Sequence, residues 1–232
     1  MKAIVYYGPE DFRWEDVPTP EIGSKEVLVR VKACGLCSTD VWRAMYGGAK
    51  PGSVLGHEVS GEVAETGPSV EAFEVGDRVV VYHRAECGTC FYCSRGQEPL
   101  CSEYRQQSIF PGAYAQYIRA VPRLVQKSIF KIPDELSYEE ATLIEPTACC
   151  VRAVSRCGIG PGDNVLVLGD GPLGLLNAQV SRCTGASLVM LSGHHNPRIK
   201  VAQRIGVDHA FNSKEISVSE KVAELTEGRG PD

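Results

Sequence analysis

The sequence predicts a β-rich, barrel-like domain followed by a doubly wound α/β domain. Its first part alternates short β-branched runs, such as 27–33 and 59–65, with glycine and proline turns. From residue 164 onward, short and wholly apolar runs alternate with helical segments, which is typical of a parallel sheet buried on both faces. We therefore expect one domain over 1–152 and a second over 153–232.

The composition is that of a globular chain with an ordinary core. Of its 232 residues, 43% are hydrophobic and 23% are charged, and the net charge is −5. The acidic balance argues against nucleic acid or a membrane surface as the main partner, and no apolar stretch is long enough to span a bilayer. The N-terminus turns polar too early for a secretion signal. The ten cysteines are therefore expected to be metal ligands or reduced thiols, and the protein to be cytoplasmic.

The elements follow from the apolar pattern and the turn residues. Strands are expected at 2–7, 27–33, 59–65, 78–82, within 114–132, and at 164–168, 187–191 and 209–211. Helical segments are expected at 38–46, 137–143, 146–157, 175–183, 197–205 and 215–226. Ser38 or Thr39 is the expected N-cap of the first helix, and Asn196 that of the helix at 197–205.

A thiol, an imidazole and a carboxylate flanked by glycines form the first candidate site. They are Cys37, His57 and Glu58, about twenty positions apart. Zinc accepts sulfur, nitrogen and oxygen ligands, and a catalytic zinc keeps one position open for water or substrate. We interpret the three residues as the start of such a site. The alternative is a buried core cysteine with an unrelated histidine in a turn.

A second metal site is indicated by four cysteines with the pattern C-x2-C-x2-C-x7-C. They are Cys87, Cys90, Cys93 and Cys101, within a lobe at 84–103. Four thiolates this close in sequence fit a tetrahedral structural zinc with no open position. Two disulfides and an iron–sulfur cluster are the alternatives. The ion would hold together a loop that has little core of its own.

The glycine-rich loop between the first apolar strand and its helix predicts a dinucleotide site. Its residues are Gly169, Gly171, Pro172, Leu173 and Gly174. Glycines at these positions let the backbone approach a pyrophosphate, which rests on the amides of the helix N-terminus. The alternative is an ordinary glycine-rich turn.

The segment after the second apolar strand bears on the choice of cofactor. An NAD site usually has an acid about twenty residues after the glycine loop. No Asp or Glu occurs between Asp170 and Asp208, and Gly193, His194 and Arg198 occupy the region instead. A neutral glycine with a nearby arginine suits a 2′-phosphate, so we expect NADP(H) rather than NAD(H). The alternative for Arg198 is a solvated position on the helix.

As a set, these motifs resemble the zinc-containing medium-chain alcohol dehydrogenases. The matching segments are 35–40, 56–58, the four-cysteine lobe, 145–146 and the glycine loop. The resemblance implies a GroES-like β domain that carries a catalytic zinc, followed by a Rossmann domain. It further implies an oxidoreductase that converts a polyol, a sugar or another secondary alcohol into a carbonyl compound, with hydride transfer to NAD(P)+.

The resemblance also implies roles for individual residues. Glu145 stands where some branches have a cysteine as third protein ligand, which is similar to the polyol (sorbitol) and threonine dehydrogenase branches. Thr39 matches the residue that relays the hydroxyl proton, and we expect Asp40 to orient His57. Binding of both Glu58 and Glu145 would make the zinc site negative and weaken its Lewis acidity, so we expect only one to bind tightly with substrate.

Further expectations concern the whole protein and one histidine. The chain ends before the next strand of the implied Rossmann sheet, so we expect a fragment of a longer, homo-oligomeric protein. A zinc- and nucleotide-binding fragment without turnover, and threonine dehydrogenase-like oxidation of an amino alcohol, stay open as alternatives. A relative without a catalytic metal is disfavoured by Cys37, His57 and Glu145. His83, which precedes the lobe, is expected in a surface loop, and a place in the lining of the pocket is the alternative.

Overall fold

The computed structural model describes residues 1–232, and its first unit, Met1–Glu145, is built on antiparallel sheets. The strands are Lys2–Gly8 (β1), Asp11–Asp16 (β2), Val27–Gly35 (β3), Ser53–Val54 (β4), Glu58–Thr66 (β5), Arg78–Tyr82 (β6), Tyr117–Ala120 (β7) and Ile129–Lys131 (β8). The smaller sheet has the order β2-β1-β4 and the larger the order β7-β3-β5-β6-β8. Alternate residues of the larger sheet, including Val29, Val63 and Val79, form the main apolar core.

The helices of this unit are short. The α-helices are Ser38–Tyr46 (α1), Pro122–Lys127 (α2) and Tyr138–Ala141 (α3), and two 3₁₀ helices, Cys93–Arg95 and Glu98–Leu100, lie in the four-cysteine lobe. The N-cap of α1 is Cys37 rather than Ser38 or Thr39, because the extended backbone of Cys37 lets its Sγ accept from the amide of Thr39. A thiol therefore takes the position that usually belongs to a hydroxyl or a carboxylate.

Besides the two 3₁₀ helices, two strands and one α-helix of the first unit escaped the sequence prediction. β2 contains charged residues on both faces and exists through its pairing with β1, and β4 has only two residues. The region 114–132 holds not only strands but also α2, which begins at Pro122 and buries Leu124. Such short elements depend on tertiary contacts because an isolated turn of helix or pair of strands is marginal.

The second unit, Pro146–Asp232, contains a parallel three-stranded sheet covered by helices. Its strands are Asn164–Leu168 (β9), Leu188–Gly193 (β10) and His209–Asn212 (β11), in the order β11-β10-β9. Three further helices follow the strands, Pro172–Cys183 (α5), Asn196–Arg204 (α6) and Val218–Leu225 (α7). This order is that of half a Rossmann sheet, which confirms the predicted α/β class. The N-cap of α6 is His195 rather than Asn196.

The two units divide between Glu145 and Pro146, near the start of the helix Ile144–Cys157 (α4), whereas the boundary expected from the sequence is at 152/153. Glu145 is buried beside His83, but Cys150 and Val154 pack on Val180. The helix changes neighbours after its first turn, which the apolar pattern does not reveal. No helix of the chain is both long and apolar enough to cross a bilayer.

Candidate metal centre and cofactor site

Cys37, His57 and Glu58 converge where β3 and β5 pair. Cys37 lies just after β3 and caps α1, and Glu58 opens β5 opposite Gly35. One ligand atom from each of the three side chains lies within 4.8 Å of the others. Two segments about twenty residues apart therefore supply a sulfur, a nitrogen and an oxygen to one point, which is a donor set that zinc accepts.

A glycine opposite Glu58 makes this approach possible. A Cβ at position 35 would lie 2.1 Å from Glu58 Oε2, so any side chain there would displace the carboxylate. The glycine in the motif is thus required by the space that Glu58 occupies and not by a left-handed turn. This explains in steric terms why glycine precedes Cys37 at that spacing.

Asp40 holds the other side of the His57 ring. Its Oδ2 lies 3.4 Å from His57 Nδ1 and accepts a hydrogen bond of 3.1 Å from the hydroxyl of Tyr114. Burial disfavours the charged imidazole, but the contact with Asp40 outweighs it and raises the pKa of His57 to about 9. With Nδ1 facing a carboxylate, Nε2 is the nitrogen left for a metal.

The remaining groups also fit a dication. Burial raises the pKa of both Glu58 and Glu145, and a bound cation would favour their charged forms. Burial likewise raises the pKa of the Cys34 thiol to about 12, and its Sγ contacts the carbonyl of Gly35. Cys37, not its neighbour Cys34, is therefore the thiolate that this site can offer.

The structure does not bring Glu145 into the same tight group. Its Oε1 lies 3.9 Å from His83 Nδ1, and the ring centroids of His83 and His57 are 4.9 Å apart. Glu145 thus lies next to His83, and His83 lies next to His57 of the cluster. The assignment of His83 to a surface loop was wrong, since its side chain is only 16% exposed and lines a cavity with His57.

Replacing Asp40 with asparagine should change the pH dependence of zinc binding at this cluster. While the pKa of His57 is about 9, zinc must displace a proton at neutral pH. The affinity for zinc should therefore increase about tenfold per pH unit through the deprotonation of His57 alone, until the pH reaches the pKa of His57. Asparagine removes the charge that favours the imidazolium, so the increase of zinc affinity with pH should level off at a lower pH in the variant. Chelator competition over a pH series measures it, and identical profiles would contradict the role of Asp40.

The four cysteines of the lobe also converge. Sγ of Cys93 lies 3.8 Å from that of Cys87 and 3.4 Å from that of Cys90, and the amide of Cys87 donates to Cys101 Sγ over 3.4 Å. Tetrahedral zinc with Zn–S bonds of about 2.3 Å requires sulfurs ~3.8 Å apart. All ten cysteines are free, so the disulfide alternative has no support here.

The glycine loop has the geometry expected between a parallel strand and a helix. It follows β9, Gly171 is the N-cap of α5, and Pro172 is the first residue of that helix. A Cβ at Gly174 would lie 2.0 Å from the carbonyl oxygen of Gly169, so the tight packing of loop on helix requires glycine there. The first-turn amides, including that of Leu173, are the anion-binding groups of such a loop.

Asp170 organises the segment that follows β10. Its Oδ2 accepts from the amides of His194 and His195 over 2.9 and 2.7 Å. Burial opposes ionisation, but the hydrogen bonds outweigh it and lower the pKa of Asp170 to about 2. A Cβ at Gly193 would lie 2.3 Å from Asp170 Cβ, so position 193 has no room for an acid. Arg198 Nη1 lies 3.9 Å from Asp170 Oδ1, with its side chain about half exposed.

Sequence reasoning missed three side chains near the cluster. Tyr114 supports Asp40, and Arg43 and Arg84 line the cavity that also contains Thr39 and His57. Arg43 follows Asp40 by three positions on α1, a spacing that places two residues on one helix face. That signal could have been used, whereas the approach of Tyr114 and Arg84 depends on the sheet.

Comparison with known proteins agrees with this picture. Residues 23–134 match the family model of the alcohol dehydrogenase GroES-like domain. Sorbitol dehydrogenase of Bacillus subtilis is 35% identical over 241 residues, covering 100% of this chain and 67% of the relative. L-threonine 3-dehydrogenase of Pyrococcus horikoshii is 37% identical over 238 residues, covering 100% of this chain and 66% of the relative.

Solved structures show the same similarity. A structure from Sinorhizobium meliloti, described as a zinc-binding dehydrogenase bound to NADP, superposes with a TM-score of 0.84 at 32% identity. The match covers 94% of this chain and 64% of that protein, so the chain spans about two thirds of the length of the relatives it matches. Motifs, fold and relatives agree, and the chain belongs to the zinc-containing medium-chain alcohol dehydrogenase family.

Proposed function

We propose that the protein oxidises an alcohol to a carbonyl compound with a zinc ion at Cys37, His57 and Glu58 and a nicotinamide cofactor at the glycine loop. The convergence of those three donor atoms within 4.8 Å supports this function most directly. Zinc bound there would act as a Lewis acid and lower the pKa of an alcohol hydroxyl. Relatives carry the names sorbitol dehydrogenase and L-threonine 3-dehydrogenase, and both compounds in these names contain a secondary hydroxyl group, which fits this class.

The chain's own residues would bind and orient the substrate. Thr39 lines the cavity beside His57, and its hydroxyl is not used as the helix cap because Cys37 is the cap. It can accept a hydrogen bond from the substrate hydroxyl and pass the proton on. Asp40 would keep His57 in the tautomer that presents Nε2. Glu58 lies in the cluster and Glu145 at its border. This arrangement fits a site in which one carboxylate replaces the other as zinc ligand during turnover.

Alcohol-dependent reduction of the cofactor tests this function. The zinc-loaded protein should reduce NADP+ or NAD+ in the presence of at least one member of a panel of polyols, sugars, amino alcohols and other secondary alcohols. A chelator should abolish the reaction, and zinc should restore it. Binding of zinc and nucleotide without any turnover would instead support the open alternative of a non-catalytic fragment.

NADP(H) is the cofactor that we favour. Asp170 fills the space that an acid at position 193 would need, and Arg198 lies nearby with an accessible guanidinium. Such a segment offers a cation to a 2′-phosphate and no free acid to a ribose hydroxyl. The NADP bound to the S. meliloti protein is consistent with this choice.

The location and assembly of the protein are part of the same proposal. The free cysteines fit a protein of the reducing cytoplasm. We expect the full-length protein to be a homo-oligomer.

Replacing Arg198 with alanine should weaken NADP+ binding by about ten- to a hundredfold and change NAD+ binding little, because it removes a charged partner of the 2′-phosphate. Titration with each nucleotide measures the ratio of dissociation constants. Arg204→Ala, at an exposed position of the same helix, is the matched control. If the native protein prefers NAD+, then Asp170 and not a cation would be the group that recognises the ribose.

A further inference from the structure

A cavity of about 310 Å³ lies beside the candidate metal cluster, within the first unit. One part of its wall comes from α1, with Thr39, Asp40 and Arg43. His83 and Arg84, which follow β6, contribute to another part. His57 belongs to both the cluster and the cavity wall. A molecule in this cavity would therefore contact the cluster directly, and its volume is at the lower end of small-molecule sites.

Unsatisfied polar atoms are concentrated around this cavity. Five buried side-chain polar atoms in the chain have no hydrogen-bond partner, and three belong to residues of its wall. These three are Asp40 Oδ1, His83 Nδ1 and Arg84 Nε. Buried polar groups in native proteins nearly always have partners, so these exceptions mark the wall of the cavity as incompletely hydrogen-bonded, with each of the three atoms shielded from solvent by its neighbours.

The two arginines of the wall form no close ion pair. The carboxylates nearest to them, Asp40 and Glu145, pair with His57 and His83 instead. Arg43 acts on Asp40, and Arg84 on Glu145, only through longer-range attraction. The Asp40 carboxylate faces His57 and accepts from Tyr114, which accounts for its Oδ2. Arg84 lies over the ring of Tyr104 at 5.7 Å, a contact that leaves its N–H groups available. Two guanidinium groups beside one cavity thus have charge that the protein does not neutralise by a direct ion pair.

We propose that this cavity binds an anionic group of the alcohol substrate, either a carboxylate or a phosphate, through Arg43 and Arg84. This inference rests on the proposed function, because it names the class of alcohol that the same site would oxidise. The planar guanidinium fork matches carboxylate and phosphate oxygens in bidentate geometry. The anionic group would occupy the side of the cavity near the arginines, and the reacting hydroxyl the side near His57 and Thr39.

A neutral polyol satisfies this cavity less well. Its hydroxyl groups carry no net charge, so they do not compensate the charge of a partly buried guanidinium. Hydrogen bonds in which both groups are charged are stronger than those with one neutral partner. The cavity should therefore discriminate between alcohols that differ only in an anionic substituent.

Matched pairs of alcohols test the inference through turnover. Glycerol 3-phosphate is compared with glycerol, and lactate with propane-1,2-diol. In at least one pair the anionic member should have a kcat/KM about tenfold or more above the neutral one. Arg43→Gln and Arg84→Gln should each lower this ratio by about tenfold or more, and Arg105→Gln, at an exposed position outside the cavity, should leave it unchanged. A preference for the neutral member in both pairs would overturn the proposal.

A binding measurement separates this inference from the proposed function. Calorimetric titration of the zinc-loaded protein with glycerol 3-phosphate and with lactate, without nucleotide, should show which anion binds. Arg43→Gln and Arg84→Gln should weaken that binding about tenfold or more. If no alcohol is turned over, binding that depends on the arginines still supports the anion site and only the oxidation is refuted. Turnover of neutral alcohols with no arginine-dependent anion binding refutes the anion site alone.

Discussion

Replacing Cys37 with alanine is expected to remove one zinc per chain and to lower the rate of alcohol oxidation about a thousandfold or more. Cys37 supplies the only sulfur of the cluster, and the loss of the ion removes several kcal/mol of charge stabilisation, at about 1.4 kcal/mol per tenfold in rate. Metal analysis of the purified protein and the rate of cofactor reduction measure the two effects. Zinc at the four-cysteine lobe should remain.

Cys34→Ser is the matched control for this substitution. Cys34 lies three positions earlier, but its Sγ contacts the carbonyl of Gly35 and it is not part of the cluster. The Cys34→Ser variant should therefore retain both zinc ions and its activity. If Cys37→Ala kept two zinc ions per chain, or kept its activity, the assignment of this cluster as the catalytic zinc site would be wrong.

Replacing Cys90 with serine is expected to remove the other zinc and to unfold the lobe locally. Between Ala85 and Ile109 the only buried residue is Cys101, so the lobe has almost no apolar core to hold it. Structural zinc contributes about 10–16 kcal/mol of binding free energy in small peptides, far more than such a segment can gain from packing. Limited proteolysis should cut the lobe of the variant at once, and its thermal midpoint should fall.

Cys183→Ser is the control for the lobe because Cys183 is an exposed cysteine outside both clusters. It should leave zinc content, proteolysis and the thermal midpoint unchanged. A Cys90→Ser variant with a protected lobe would show that the segment is ordered without the ion. Iron in place of zinc in the native protein would favour the open alternative of an iron–sulfur cluster.

Strong periodic signals made several elements predictable. The helix α1 and the strands β6 and β9 have the predicted bounds, because apolar alternation or an apolar run ends at glycine, proline or polar residues there. The weak elements β2, β4 and α2 were missed because their formation depends on a neighbouring strand or on a single buried residue. The N-cap by Cys37 was missed because a thiol is an uncommon cap.

The candidate site was predictable where ligands are close in sequence. The spacing of the four cysteines, and the glycines beside Cys37, indicate donor chemistry from residue types and intervals alone. The position of His83 was not predictable, because the bend after β6 and the pairing of β5 with β6 turn its ring toward His57. The role of Asp170 was not predictable either, since an acid within a glycine loop has no sequence signal for contact with a later segment.

The amino-acid sequence by itself determined the class of the two domains, the chemical nature of both candidate metal sites and the position of the candidate cofactor loop. The domain classes depend on local periodicity. The candidate sites depend on residue types whose spacing rarely has another structural reason. Only the tertiary structure decided that Glu145 stands at the border of the cluster, that Asp170 excludes an acid from position 193, and that Arg43 and Arg84 share one cavity. Such relations depend on how strands pair across many residues, and the distances that result are not encoded in any short segment.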